Sequence, residues 1–259
     1  MALFTDAEII TPQDLLPYES SLLQVASTHA IDIDQKIVLA KRAVAEKLVL
    51  FLQDAGVSDP QWLSRLVIGL STVVVTPPLK RWLCFEALTR FYAEAYNVQL
   101  NSRFNAKWAE YQQEVKSAAD QALHAGLGIV YKPLPKPQMP EVAAQQGVAP
   151  AEALYVQVSW VDSQGNESAL SPINALVANT QSSITVQTAE GALHSPPAAF
   201  GWNVYVGSNA KAITLQNGNP LSLGSTWSLP ASGIQNGQAG GNGQEPDFIV
   251  PISRQIRRG

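Results

Sequence analysis

The chain reads as an α+β protein: an N-terminal α-helical bundle, then an all-β fibronectin/Ig-like sandwich, then an extended C-terminal tail. Three observations predict this. Charge is divided unevenly: residues 1–137 hold 13 of the 17 Lys and Arg and 14 of the 21 Asp and Glu, whereas Lys211 is the one cation between 138 and 253. Apolar residues recur at steps of three and four in the first part and alternate in the second. Past residue 230 the chain turns to Gly, Gln and Asn and closes on an apolar, arginine-bearing piece. A composition shift of this size predicts three segments: a helical domain over 1–137, a β-domain over 138–230, and a flexible linker with a C-terminal docking tail over 231–259.

In the first part Ile37, Ala40, Val44, Leu48 and Phe51 share one helical stripe between charged residues, which predicts a helix over about 34–54, with Asp34 as N-cap and Gly56 as stop. Ser58-Asp59-Pro60 opens a short helix through Trp62 and Leu66. Thr72-Val-Val-Val-Thr76 before Pro77-Pro78 is extended or a turn. The next helix, about 79–96, is apolar around most of its circumference through Trp82, Leu83, Phe85, Leu88, Phe91 and Tyr92, and so is expected at the centre of the bundle. A further helix over about 102–124 carries Phe104, Trp108, Tyr111, Val115, Ala118 and Ala122 on one stripe and ends at Gly126 and Gly128. Residues 11–28 are expected to be helical despite Pro17. Pro133, Pro135 and Pro137, spaced two apart, form a stiff extended connector.

In the second part Leu154, Val156, Val158 and Trp160 alternate with Tyr155, Gln157 and Ser159, and Asp162-Ser-Gln-Gly-Asn166 supplies a turn. Short strands follow at Ile184/Val186, Trp202/Val204/Val206, Ile213/Leu215, Leu221/Leu223 and Trp227/Leu229, the spacing of a sandwich.

Composition narrows function as well. A formal charge of −4 opposes a nucleic-acid binder that works by neutralising phosphates. The single cysteine, Cys84, excludes an internal disulfide and a cysteine zinc cluster, and reads as a small core residue. No stretch is long and apolar enough to cross a membrane, and the first residues lack the pattern of a secretory signal, so a soluble protein made in the cytoplasm is expected. His29, His124 and His194 are scattered, no Ser sits in a nucleophile turn, and the glycines of 237–243 lack a phosphate-cradle context. No cofactor, metal or catalytic residue is expected. The carboxylates Glu19, Glu110 and Glu114 are the candidates for acid–base chemistry on glycans, and are expected instead to be ordinary surface groups.

Two groups of residues resemble known families. Val158-Ser-Trp160-Val-Asp162-Ser-Gln-Gly165-Asn166-Glu167-Ser168 with Ser171, and Gly201-Trp-Asn203-Val-Tyr205, resemble two strand motifs of fibronectin type III-like domains, here in reversed order, as in variants from phage neck and tail proteins. Asp14-Leu-Leu16 with Tyr18-Glu-Ser-Ser21-Leu, Thr76-Pro-Pro-Leu-Lys-Arg-Trp82, and Phe104, Ala106-Lys-Trp108 and Tyr111 resemble the helical core of head-to-tail adaptors (connector or neck proteins) of tailed bacteriophages. The resemblance implies a virion protein forming a ring, usually of twelve copies, bound to the portal protein above and a tail or nozzle protein below. Genomic DNA would pass through its channel without sequence-specific binding. It also implies that the tail docks in the portal through Phe248, Ile249, Val250 and Ile252, with Arg254, Arg257 and Arg258 free to pair with carboxylates. Two other functions stay open: a virion-associated glycan hydrolase, and a module that binds carbohydrate or a tail fibre.

Overall fold

The computed structural model describes residues 1–58, 69–149, 153–177, 182–241 and 243–250. It has a helical region followed by several β-sheets, an α+β fold. The chain divides into two compact units, one made of Ala7–Tyr131 with Pro246–Gly259, the other of Met1–Asp6 with Lys132–Glu245.

The helical unit begins with α1 (Pro12–Leu15) and α2 (Leu22–His29). The single helix expected over 11–28 is thus broken around Pro17, whose ring cannot sit in a helix interior. Ala30, in the left-handed region at φ 52°, ends α2. α3 (Ile33–Ser58) is capped by Asp32, whose Oδ1 accepts from the Gln35 N–H at 3.0 Å. Asp34, the expected cap, instead lies in the first turn, where its charge suits the helix dipole. The short helix expected from 58 through 66 lies outside the described residues apart from Ser58.

A 3-10 turn (Leu70–Thr72) leads into β1 (Val73–Val74), then α4 (Pro77–Gln99) with proline in its first turn, and α5 (Ser102–Ala125). Asn101 caps α5 by accepting from the Arg103 N–H at 2.9 Å. α4 packs against both α3 and α5. Its side chains explain this central place: Leu79, Trp82, Leu83, Phe85, Leu88, Phe91, Tyr92 and Ala95 are all buried, so each flank presents apolar area to a neighbouring helix. Cys84 is buried with them, and burial pushes its thiol up to about 12, so it stays protonated and inert. After α5 comes β2 (Leu127–Ile129), antiparallel to β1 with Val73 opposite Ile129.

The β-unit holds β3 (Glu141–Ala149), β4 (Ala153–Val161), β5 (Asn174–Val177), β6 (Ser182–Gln187), β7 (Gly201–Gly207), β8 (Thr214–Leu215), β9 (Leu221–Ser222) and β10 (Trp227–Ser228). They form two antiparallel sheets, of order β10-β6-β3 and β5-β4-β7-β8, with β9 also paired to β7. One apolar core unites them, including Leu154, Val156, Val158 and Trp160 of β4, Ile184 and Val186 of β6, and Trp202, Val204 and Val206 of β7. The alternation seen in β4 is therefore the alternation of core-facing side chains.

The Gly-Asn-Glu-Ser-x-x-Ser stretch after β4 has a definite role. Gly165, at φ +87°, closes the turn, and the Asp162 carboxylate accepts from the backbone N–H groups of Gln164 and Asn166 at 2.8 and 2.9 Å. The chain then returns alongside β4. Ser168 Oγ accepts from the Trp160 N–H at 2.9 Å, and Ser171 Oγ accepts from the Val158 N–H at 3.0 Å. Both serines are buried, and their hydroxyls stand in for strand carbonyls along the edge of β4 until β5 begins.

The proline-rich stretch is pinned along its length. Prolines at 133, 135 and 137 leave N–H donors at Leu134, Lys136 and Gln138, and side-chain oxygens take all three: Gln244 Oε1 at 2.7 Å, Asp6 Oδ1 at 2.8 Å and Glu190 Oε1 at 2.7 Å. Leu134 is buried in the β-unit core. Gln244 also donates to the Lys132 carbonyl, and the Met1 ammonium donates to the Gln244 carbonyl. The stretch after 230, expected as a flexible linker, is correspondingly tied down: Leu215 donates to the Gln238 carbonyl, and Thr214 bridges to Ala239.

Candidate functional site

The residues read as a docking tail begin inside the helical unit. Phe248–Val250 form β11, antiparallel to β2, with Phe248 opposite Ile129, Ile249 opposite Gly128 and Val250 opposite Leu127. The three-stranded sheet has the order β1-β2-β11. This corrects the expectation of a segment free to swing on a linker: up to Val250 the chain is a strand of the helical unit. Val250 is buried, Ile249 is exposed, and the Phe248 ring lies 4.9 Å from that of Tyr131. Asp247 clamps the start of the strand, its N–H donating to the Ile129 carbonyl and its Oδ2 accepting from the Tyr131 N–H at 2.7 Å. Ile252, Arg254, Arg257 and Arg258 lie outside the described residues.

Gly126 and Gly128, read in the sequence as helix stops, do more than end α5. A Cβ on Gly126, whose φ is +85°, would stand 2.5 Å from Ile249 Cγ2 and 2.7 Å from the Val250 carbonyl oxygen; one on Gly128 would stand 2.9 Å from Pro246 Cβ. Two glycines two residues apart leave one side of this stretch bare, and β11 with Pro246 fills that space. That spacing was the available signal in the sequence for the seat of the tail.

The carboxylate candidates are each occupied. Glu19 is 7% exposed rather than a surface group. It accepts from Ser21 Oγ at 2.6 Å and from the Tyr111 hydroxyl at 3.0 Å, with the Lys107 ammonium 3.4 Å away. Burial alone would raise its pKa, but the hydrogen bonds from Ser21, Tyr111 and Tyr92 and the charge of Lys107 outweigh it and bring it to about 2. The neighbouring phenols move the other way: burial, aided by the Glu19 charge, pushes Tyr92 up to about 12, and burial with the hydrogen bond to Glu19 raises Tyr111 further. A carboxylate held ionised this firmly is a poor proton donor, whereas a glycosidase acid needs a raised pKa. Lys107 also pairs with Glu110 at 3.4 Å, and Arg81 with Glu114 at 3.5 Å.

The histidines remain apart. His29 meets the Phe104 ring edge-on at 5.4 Å, His124 stands in the last turn of α5, and His194 lies in the loop before β7. Among the described residues no group of three or more His, Cys, Asp or Glu side chains is placed to hold a metal. No described helix is long and apolar enough to cross a membrane.

The fold and these sites define a two-unit α+β protein whose conspicuous carboxylates are tied into ion pairs and hydrogen bonds. Comparison with protein-family models, with curated proteins and with solved structures finds no match.

Proposed function

We propose that the chain is a structural virion protein, a head-to-tail adaptor that assembles as a ring on the portal of a tailed bacteriophage and extends the DNA channel toward the tail. The observation that carries this reading is the meeting of the three helical stretches that resemble adaptors. Lys80 of the second stretch pairs with Asp14 of the first at 2.7 Å, and Cys84 Sγ lies 3.8 Å from the Asp14 carbonyl oxygen. Tyr111 of the third donates to Glu19 of the first. Stretches that share no local sequence thus form one cluster, as they must if they belong to one inherited core.

The β-unit is read as a fibronectin-like sandwich of permuted order. Its two motif strands, β4 and β7, pair directly, with Trp160 opposite Trp202 and Val158 opposite Val204, and lie at the centre of the larger sheet. Pairing depends on register and not on which strand comes first in the chain, so a reversed motif order still supports such a core.

The test is electron microscopy and sedimentation of the full chain mixed with its purified portal protein. A ring on the portal is the expected result. A chain that neither binds the portal nor assembles, or that cleaves cell-wall glycan in a Glu19-dependent manner, overturns the reading.

A further inference from the structure

An asparagine followed by glycine can react with its own backbone, because glycine has no Cβ to shield its amide nitrogen and turns freely enough to bring that nitrogen onto the asparagine side chain. The chain has three such pairs, Asn217-Gly218, Asn236-Gly237 and Asn242-Gly243. Asn242 lies outside the described residues. The other two pairs are set in opposite ways.

The half-buried Asn217 side chain is locked in place. Its Oδ1 accepts from the Val204 N–H at 2.8 Å, and its Nδ2 donates to Asn203 Oδ1 and to the Asn219 carbonyl, both at 2.8 Å. Asn236 is exposed, and neither its side-chain amide nor the Gly237 N–H takes part in a hydrogen bond among the described residues. The pair nevertheless sits between two fixed points. On one side the Gln235 N–H donates to Gln216 Oε1 at 2.8 Å, and its carbonyl accepts from Thr214 Oγ1 at 3.0 Å and from Gln216 Nε2 at 2.9 Å. On the other side the Gln238 carbonyl accepts from the Leu215 N–H at 2.8 Å. A Cβ on Gly237 would overlap the Leu215 carbonyl oxygen, so the backbone lies hard against β8.

We propose that Asn236 is a site of spontaneous deamidation, in which the Gly237 nitrogen attacks Asn236 Cγ. The new N–Cγ bond closes a succinimide ring, the Cγ–Nδ2 bond breaks, and ammonia leaves carrying the proton given up by the Gly237 nitrogen. Water, the sole co-reactant, then opens the ring at one carbonyl or the other, leaving aspartate or isoaspartate at position 236. Isoaspartate routes the main chain through the former side chain and so lengthens it by one carbon between the attachments at Gln235 and Gln238. Either product places a carboxylate in a stretch where Lys211 is the one cation between 138 and 253. Conversion therefore loosens residues 235–239 from β8. The proposal does not depend on ring assembly.

The experiment ages the full chain in mildly alkaline buffer made with heavy-oxygen water. Chymotrypsin, which cleaves between the two pairs at Trp227, gives peptides for mass spectrometry, and enzymatic carboxyl methylation reads isoaspartate. Label should enter the peptide holding Asn236 at least about tenfold faster than the one holding Asn217, whose hydrogen bonds must first be released. Hydrogen exchange at the Leu215 amide should rise at least about tenfold in the converted fraction and stay unchanged in aged Asn236→Ser, which cannot form the ring. Three results would each overturn the proposal: conversion of Asn217 as fast as that of Asn236, an intact Asn236 after a free peptide of residues 232–240 has fully converted, or unchanged Leu215 exchange in the converted chain.

Discussion

Replacing Glu19 by Gln should make the helical unit less stable at neutral pH and cost it distinctly less in acid. The carboxylate titrates at about 2 in the folded chain and at 4.5 ordinarily. A gap of that size corresponds to about 3 kcal/mol of stability when the group is ionised. Lys107 is partly exposed, with 36% of its side-chain surface open, so water screens its share and about 2 kcal/mol is the working figure. Because the folded pKa is depressed, this contribution is fully present above the unfolded value and is lost as pH falls from about 5.5 toward 2. The assay is urea unfolding followed by helical circular dichroism at pH 7 and at pH 3. Gln keeps the shape but not the charge, so the variant should lose about 2 kcal/mol at pH 7, a fall of roughly 5 °C in melting temperature, and about two-fifths of that at pH 3, where the folded carboxylate is still mostly ionised. An equal loss at both pH values would show that packing, not the ionised carboxylate, sets the effect. No loss at pH 7 would refute the reasoning outright.

Three further outcomes are expected. Gly128→Val should unseat Pro246 and β11, raising hydrogen exchange at the amides of 127–129 and 248–250 at least tenfold while α4 and α5 stay protected; unchanged exchange would show that the seat tolerates a side chain. Ser168→Ala and Ser171→Ala each leave a buried strand N–H without its acceptor and should cost about 1–3 kcal/mol in thermal or urea unfolding, more than the same change at the exposed Ser208. Truncation after Val250, which keeps β11 in place, should abolish or greatly weaken portal binding if Ile252, Arg254, Arg257 and Arg258 dock there. Portal affinity equal to that of the full chain would count against the docking role.

What the sequence determined by itself was the periodic and the local. Apolar spacing placed α3, α4 and α5 within a few residues of their observed ends and picked α4 as the central helix, because a helix apolar on most sides can be satisfied only by burial among others. Alternation placed β4 and β7, and turn chemistry placed the reversal at Asp162–Asn166. Tertiary structure decided whatever depends on residues distant in the chain. Glu19 looked like a surface acid because nothing nearby in sequence shows that Tyr111 and Lys107, some ninety residues on, surround it. The proline-rich stretch looked like a free connector, since its remaining N–H groups are taken by Asp6, Glu190 and Gln244, none of them close in the chain. Residues 248–250 have the composition of a strand in any context, but composition names no partner. The bare face left by Gly126 and Gly128 after α5 makes room for it, because a side chain at either position would collide with Pro246, Ile249 or Val250.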